Sequence, residues 1–165
     1  MSLSAAETPA PDLTPGLTPA QQARRAHMGL LARARPDDLA RGLAGLFPDL
    51  PAHSFLRAPE VGAVMVQGRT GATGAPFNLG EMTVTRCTLR LASGEVGHAH
   101  VQGRDKAHAT RAALVDALMQ TDAASDVQGM LDGLTASEAT RRRARAARAA
   151  ATKVEFFTLV RGEDQ

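Results

Sequence analysis

Tryptophan and tyrosine are absent from these 165 residues, and five phenylalanines are the only aromatics. A core without them has to be assembled from Leu, Val, Ala and Met, and platforms for stacking nucleobases are scarce. Cysteine occurs once, as Cys87, which excludes an internal disulfide and any multi-cysteine zinc site. No apolar run approaches the roughly 18 residues of a membrane span. Near the N-terminus, Glu7 and several prolines stand where a signal peptide carries basic residues and then an apolar stretch. The chain is therefore expected to be cytoplasmic.

What is present suits a folded protein. The length is enough for one modest core, and a hydrophobic fraction of 44% is ordinary for a globular chain. The formal charge is only +2, but it is unevenly spread. Five arginines crowd between Arg141 and Arg148, and without them the remainder is net acidic. The basic character belongs to one segment, which points to a local anionic partner.

Residues 1–18 are rich in Pro, Ala, Ser and Thr and are expected to form a disordered tail. A single domain is expected over 19–163. Thr18, Pro19 and Gln21 make a capping box with proline at the first helical position. The helix they start should run to about Arg33, with Ala23, Ala26, Leu30 and Ala34 near one face. Pro36, Asp37 and Asp38 open a second helix, which Gly45 and Pro48 end.

The period then changes from helix to strand. His53 to Ala58, Val61 to Gln67, Glu81 to Leu91 and Glu95 to Gln102 read as strands, with Ser93-Gly94 a tight turn between the last two. Between Gly68 and Gly80 lies a glycine-rich loop. Asp105 caps a helix to about Gln120 that is apolar on most sides, hence central and buried. A short helix near Asp126 to Leu131, an Ala/Arg helix over about 136–151 and a strand from Lys153 to Val160 complete the reading. The expected class is α+β, a mostly antiparallel sheet flanked by helices.

Several motifs occur in a definite order: Arg57-Ala-Pro-Glu60, Met65-Val-Gln-Gly-Arg69, Gly71-Ala-Thr-Gly74, Phe77-Asn-Leu-Gly-Glu81 and Thr83-Val-Thr-Arg86. Val101-Gln-Gly-Arg-Asp-Lys106, His108-Ala109, Ala117-Leu-Met-Gln120 and Val154-Glu-Phe-Phe-Thr-Leu-Val-Arg-Gly-Glu163 follow. From about Arg24 to Glu163 this set resembles the PhnG family of the bacterial carbon–phosphorus lyase system. The sequence departs from the family at His27, His98 and His100, where relatives tend to carry aromatics. The resemblance implies a subunit that acts with PhnH-, PhnI-, PhnJ- and PhnL-type partners in phosphonate breakdown. There methylphosphonate displaces adenine from ATP, giving α-D-ribose 1-methylphosphonate 5-triphosphate. ATP is then the substrate of the complex, and no cofactor is expected on this chain alone. The family pattern assigns no catalytic residue to this subunit.

The residues themselves suggest anion-binding or interface roles for Arg69, Glu81, Arg86, Arg104, Asp105 and Lys106. Free N–H groups at a helix start beside Arg104 and Lys106 can hold a phosphate or phosphonate, yet Asp105 competes for the same donors as an N-cap. The loop from Gly68 to Gly80 lacks both familiar phosphate-loop signatures. Its glycines fit an insertion into a neighbouring subunit, with Arg69 reaching a partner carboxylate or an anion. Asp116, in an otherwise apolar helix, calls for an arginine partner. His98 and His100 share a strand face but are too few for a metal site, and Cys87 reads as a buried strand residue. An alanine stripe at Thr140, Ala144, Ala147 and Ala151 suits helix docking, beside a solvated arginine face at Arg141, Arg145 and Arg148. Two other functions compete. A nucleic-acid-binding protein would use the Arg141 to Arg148 helix. A free-standing phosphotransferase ranks last for want of a phosphate or metal signature.

Overall fold

Thr18 starts the first helix as its sequence requires. Its hydroxyl accepts from the Gln21 N–H, while the Gln21 side chain accepts from the Thr18 N–H at 2.9 Å. The computed structural model describes residues 16–152, so all but the last three residues of the expected tail, and the expected strand from Lys153 to Val160, lie outside the described residues. Helix α1 covers Pro19–Arg33 and α2 covers Pro36–Leu46. Strands β1 (His53–Arg69), β2 (Pro76–Leu91) and β3 (Val96–Gln102) form an antiparallel sheet in the order β1-β2-β3. Helices α3 (Lys106–Leu118) and α4 (Ala124–Ala151) follow. The class is α+β, as the sequence predicts.

The core lies between one sheet face and α3. Alternate residues of β2 and β3, namely Cys87, Leu89, Leu91, Ala99 and Val101, meet the continuous buried run of α3 from Ala112 to Leu118. Leu31 of α1, Leu39 and Leu43 of α2, and Val127, Leu131 and Leu134 of α4 close the sides. Full burial of each such Leu or Val contributes about 1.5–3 kcal/mol.

Four expectations need correction. The two strands predicted before residue 68 are one, β1, with register irregularities between Phe55 and Glu60 that accommodate Pro59. Pro59 lacks an N–H, but β1 is an edge strand, so the ladder continues past it. The glycine-rich loop is shorter than predicted, because β2 begins at Pro76 and the connection is confined to residues 70–75, opening with a 3-10 turn at Thr70–Ala72. The two helices predicted after Asp126 are also one. The gap expected between them holds Gly133, which weakens a helix, but Val127, Leu131 and Leu134 keep a single buried stripe running past it. Finally, the predicted face of α1 holds only in its second half: Leu30 and Ala34 pack on the core, but Ala23 and Ala26 are exposed, whereas Arg24 is half-buried and Leu31 fully so.

The sheet is not equally supported along its length. Strand β3 pairs with β2 only from Val84 to Arg90. Beyond that, Ala63 to Arg69 and Pro76 to Thr83 pair only with each other, as a two-stranded ribbon. Such a ribbon alone is marginally stable in water. This one also carries exposed apolar residues, with Met65 at 53% and Leu79 at 66% exposure and Phe77 at 45%.

Candidate functional site

The turn from β3 to α3 is built at the root of this ribbon. Gly103 takes a φ of +88°, which a glycine adopts without strain, and its N–H donates to the Thr83 carbonyl at 2.9 Å. The Thr85 hydroxyl donates to the Gly103 carbonyl at 2.8 Å. The segment Arg104-Asp105-Lys106 is thereby tied to the point where the ribbon leaves the sheet. Glu81 lies two residues beyond Thr83, exposed and opposite Met65.

Asp105 settles how the start of α3 is used. Its Oδ1 accepts from the His108 N–H at 2.8 Å, so the carboxylate of the chain itself occupies the place an anion would take. Arg104 and Lys106 are exposed and make no ion pair among the described residues. Arg69 sits at the far end of the ribbon, where its Nη1 donates to the Gly74 carbonyl at 3.0 Å and closes the turn. Of the six residues singled out, Glu81, Arg104, Asp105 and Lys106 gather near the ribbon root, and Arg69 and Arg86 do not.

Arg86 belongs to the other face of the sheet, alternating with the buried Thr85, Cys87 and Leu89. Its Nη2 meets Glu60 Oε1 at 2.9 Å, and Arg57 approaches the same carboxylate at 3.4 Å. The Arg86 Nε is buried without a partner among the described residues. His98 and His100 are exposed on this face, where they line a shallow depression with Met28, Arg57, Arg86 and Thr88. No group of three or more metal-ligating side chains occurs among the described residues.

Asp116 has the arginine that its burial demands. Arg24 donates from Nε to Oδ1 at 2.9 Å and from Nη2 to Oδ2 at 2.7 Å, and the His98 N–H donates to Oδ2 at 2.8 Å. The hydrogen bond to Asp116 holds the Arg24 guanidinium above its ordinary range. The sequence shows that Asp116 needs a cation but does not name Arg24. The only signal is that helical spacing places Arg24 one and two turns before Met28 and Leu31.

Cys87 is buried, and burial pushes its thiol up from the ordinary value. His108 is buried too, with Nε2 2.9 Å from the Leu31 carbonyl. A carbonyl only accepts, so Nε2 carries the proton. Burial pushes the imidazolium below its ordinary value, outweighing that hydrogen bond. Since the unfolded chain binds this proton more readily, stability is full above about pH 6.5 and falls as the pH drops from there through the lower folded value. The melting temperature is accordingly expected to fall between about pH 7.5 and pH 5.5, and a His108→Gln variant should lose part of that slope. An unchanged slope in the variant would assign the effect elsewhere.

A family model described as "Phosphonate metabolism protein PhnG" matches residues 22–162. The chain belongs to the PhnG family. The matched span takes in the whole sheet, α2 to α4 and all but the start of α1. A relative from Rhizobium meliloti (strain 1021), "Alpha-D-ribose 1-methylphosphonate 5-triphosphate synthase subunit PhnG", is 46% identical over 142 residues. That alignment covers 86% of this chain and 90% of the relative. Within the PhnG frame, the motifs from Met65 to Arg86 coincide with the ribbon and its root, and Val101 to Lys106 with the end of β3 and the turn tied to it. No helix among the described residues is long and apolar enough to cross a membrane.

Proposed function

We propose that this chain is a cytoplasmic, accessory subunit of the carbon–phosphorus lyase core complex. With PhnH-, PhnI-, PhnJ- and PhnL-type partners it enables methylphosphonate to displace adenine from ATP, giving α-D-ribose 1-methylphosphonate 5-triphosphate. The observation that carries this reading is the 46% identity, over 90% of its length, to the relative named as a subunit of that synthase.

The fold supports an assembly role. An unsupported ribbon with Met65, Phe77 and Leu79 exposed gains stability by laying that surface against another protein. The well-placed acidic groups are committed to structure: Asp105 caps α3, Asp116 holds Arg24, and Glu60 holds Arg86. Cys87 is buried with its thiol pushed up, the opposite of an activated nucleophile. These commitments support a reading in which the chemistry is carried by the partners.

Adenine release from ATP and methylphosphonate tests the proposal. The homogeneous chain alone is expected to release none, the assembled set of partners to release it, and the set lacking this chain to fail. A chain carrying Phe77→Ser and Leu79→Ser should melt normally yet restore release poorly, because both positions are solvent-facing in the free subunit. Adenine release by the isolated chain would overturn the accessory role. Full release by partners without it would overturn the requirement.

A further inference from the structure

The C-terminal half of α4 crosses the end of α1 and the end of β3, leaving a groove of about 770 Å³. Arg141, Arg145 and Arg148 line one wall, Arg33 of α1 lines the other, and Ala144 and Ala149 keep the floor shallow and free of bulk. On one helix face, positions 141, 145 and 148 form a stripe about 10 Å long. We propose that this groove binds a short linear chain of phosphates, gripped from two sides by the α4 arginines and Arg33.

Charge accounting favours an anion. Arg141 is already committed, to Asp38 at 3.1 Å and to Glu138 at 2.7 Å. Arg33, Arg145 and Arg148 make no ion pair among the described residues, and the four arginines of the groove outnumber the two carboxylates beside them, Asp38 and Glu138, leaving a net positive charge. Their fields overlap. The Arg141 hydrogen bond holds the Glu138 carboxyl below its ordinary range, and Arg145 and Arg33 push it the same way.

The residue type narrows the anion. Guanidinium groups present planar forks of donors that match phosphate oxygens in pairs, whereas a lysine offers a point charge. A stripe of about 10 Å suits a few consecutive phosphates. The lining has no aromatic side chain to serve as a stacking platform for a base, and its one uncharged polar group is Gln102 beside four guanidinium groups. Affinity for a nucleoside triphosphate would therefore reside in its phosphates. This deepens the proposed function, in which a triphosphate is the substrate of the complex, but it concerns binding by this chain. Tripolyphosphate binding can fail while adenine release by the complex persists, and the reverse.

Calorimetric titration of the full chain with inorganic tripolyphosphate, ATP, adenosine and a single-stranded DNA oligonucleotide tests the inference. Tripolyphosphate and ATP are expected to bind comparably, and adenosine not at all. Arg145→Ala and Arg148→Ala should each weaken tripolyphosphate about tenfold, the loss of one charge-assisted contact. Both residues are exposed, so the melting temperature should not move. Lysine at either position should restore only part of the affinity, since it returns the charge without the fork. Undetectable binding of tripolyphosphate, binding that is unchanged in both alanine variants, or adenosine competing as well as ATP would each overturn the inference. Preference for the oligonucleotide over tripolyphosphate would instead make the groove a nucleic-acid site, and that too overturns it.

Discussion

A Gly97→Ala variant is expected to lose more than about 3 kcal/mol of stability, a large part of the 5–15 kcal/mol that holds a typical domain together. Gly97 is buried in β3 under α3. A Cβ there would stand 1.9 Å from the Ala113 carbonyl oxygen, 2.7 Å from the Ala117 nitrogen and 2.9 Å from the Ala117 Cβ. The first two are helix backbone, which cannot rotate aside as a long side chain would. The helix must lift from the sheet, and Ala113 and Ala117, now fully buried, would be uncovered with it. Urea unfolding is the direct measurement, and the melting temperature should drop by at least about 6 °C. Gly45→Ala is the matched control. It faces open space within α2, so helix propensity predicts an unchanged or slightly raised stability, by up to about 1 kcal/mol. A Gly97→Ala variant that melts like the parent would show that α3 does not rest on β3 at this point.

Removing Arg24 should cost about 2–4 kcal/mol. The Asp116 side chain is only 3% exposed, and Arg24→Ala strips it of both guanidinium donors, leaving the His98 N–H alone. Breaking one side of a buried pair costs about 3–5 kcal/mol, but Arg24 is 42% exposed, so water already weakens this pair and shifts the expected cost down to about 2–4 kcal/mol. The loss is more than local. Arg24 Nη2 also donates to the Val96 carbonyl, so one side chain joins α1 to both α3 and β3. A double-mutant cycle with Asp116→Ala isolates the pair, because the second substitution removes the stranded carboxylate. If the single Arg24→Ala change were neutral, the contact seen between α1 and α3 would contribute nothing to folding.

Much of this architecture was legible as local chemistry. The capping box at Thr18, the N-cap at Asp105, the Ser93-Gly94 turn and the buried character of α3 depend on residues within a few positions of one another. Short-range signals of that kind are written directly into the chain. The family motifs were legible as well, because they are ordered strings of residues, and the matched span 22–162 bears them out.

Errors arose where a local signal met a distant partner. The Gly129 and Gly133 positions weaken a helix locally, yet Val127, Leu131 and Leu134 pack into the core and carry α4 through them. Pro59 suggested a break that pairing with β2 overrides, joining two predicted strands into β1, and the same pairing extends β2 back to Pro76, into the predicted loop. On α1, Leu30 and Ala34 face the core as their spacing suggested, but Ala23 and Ala26 do not, and the helix turns Arg24 inward to a buried carboxylate on α3.

Composition and motif order were thus sufficient for the α+β class, the family and the need of Asp116 for a cation, since each rests on residue identity or near-neighbour spacing. The choice of Arg24 out of 19 Lys and Arg side chains was not contained there. Nor was the meeting of Arg33 with Arg145 and Arg148 across a groove, or the fit of Gly97 beneath Ala113 and Ala117. Those relations link residues far apart in the chain, and they exist only once the core has fixed how helices and sheet are packed.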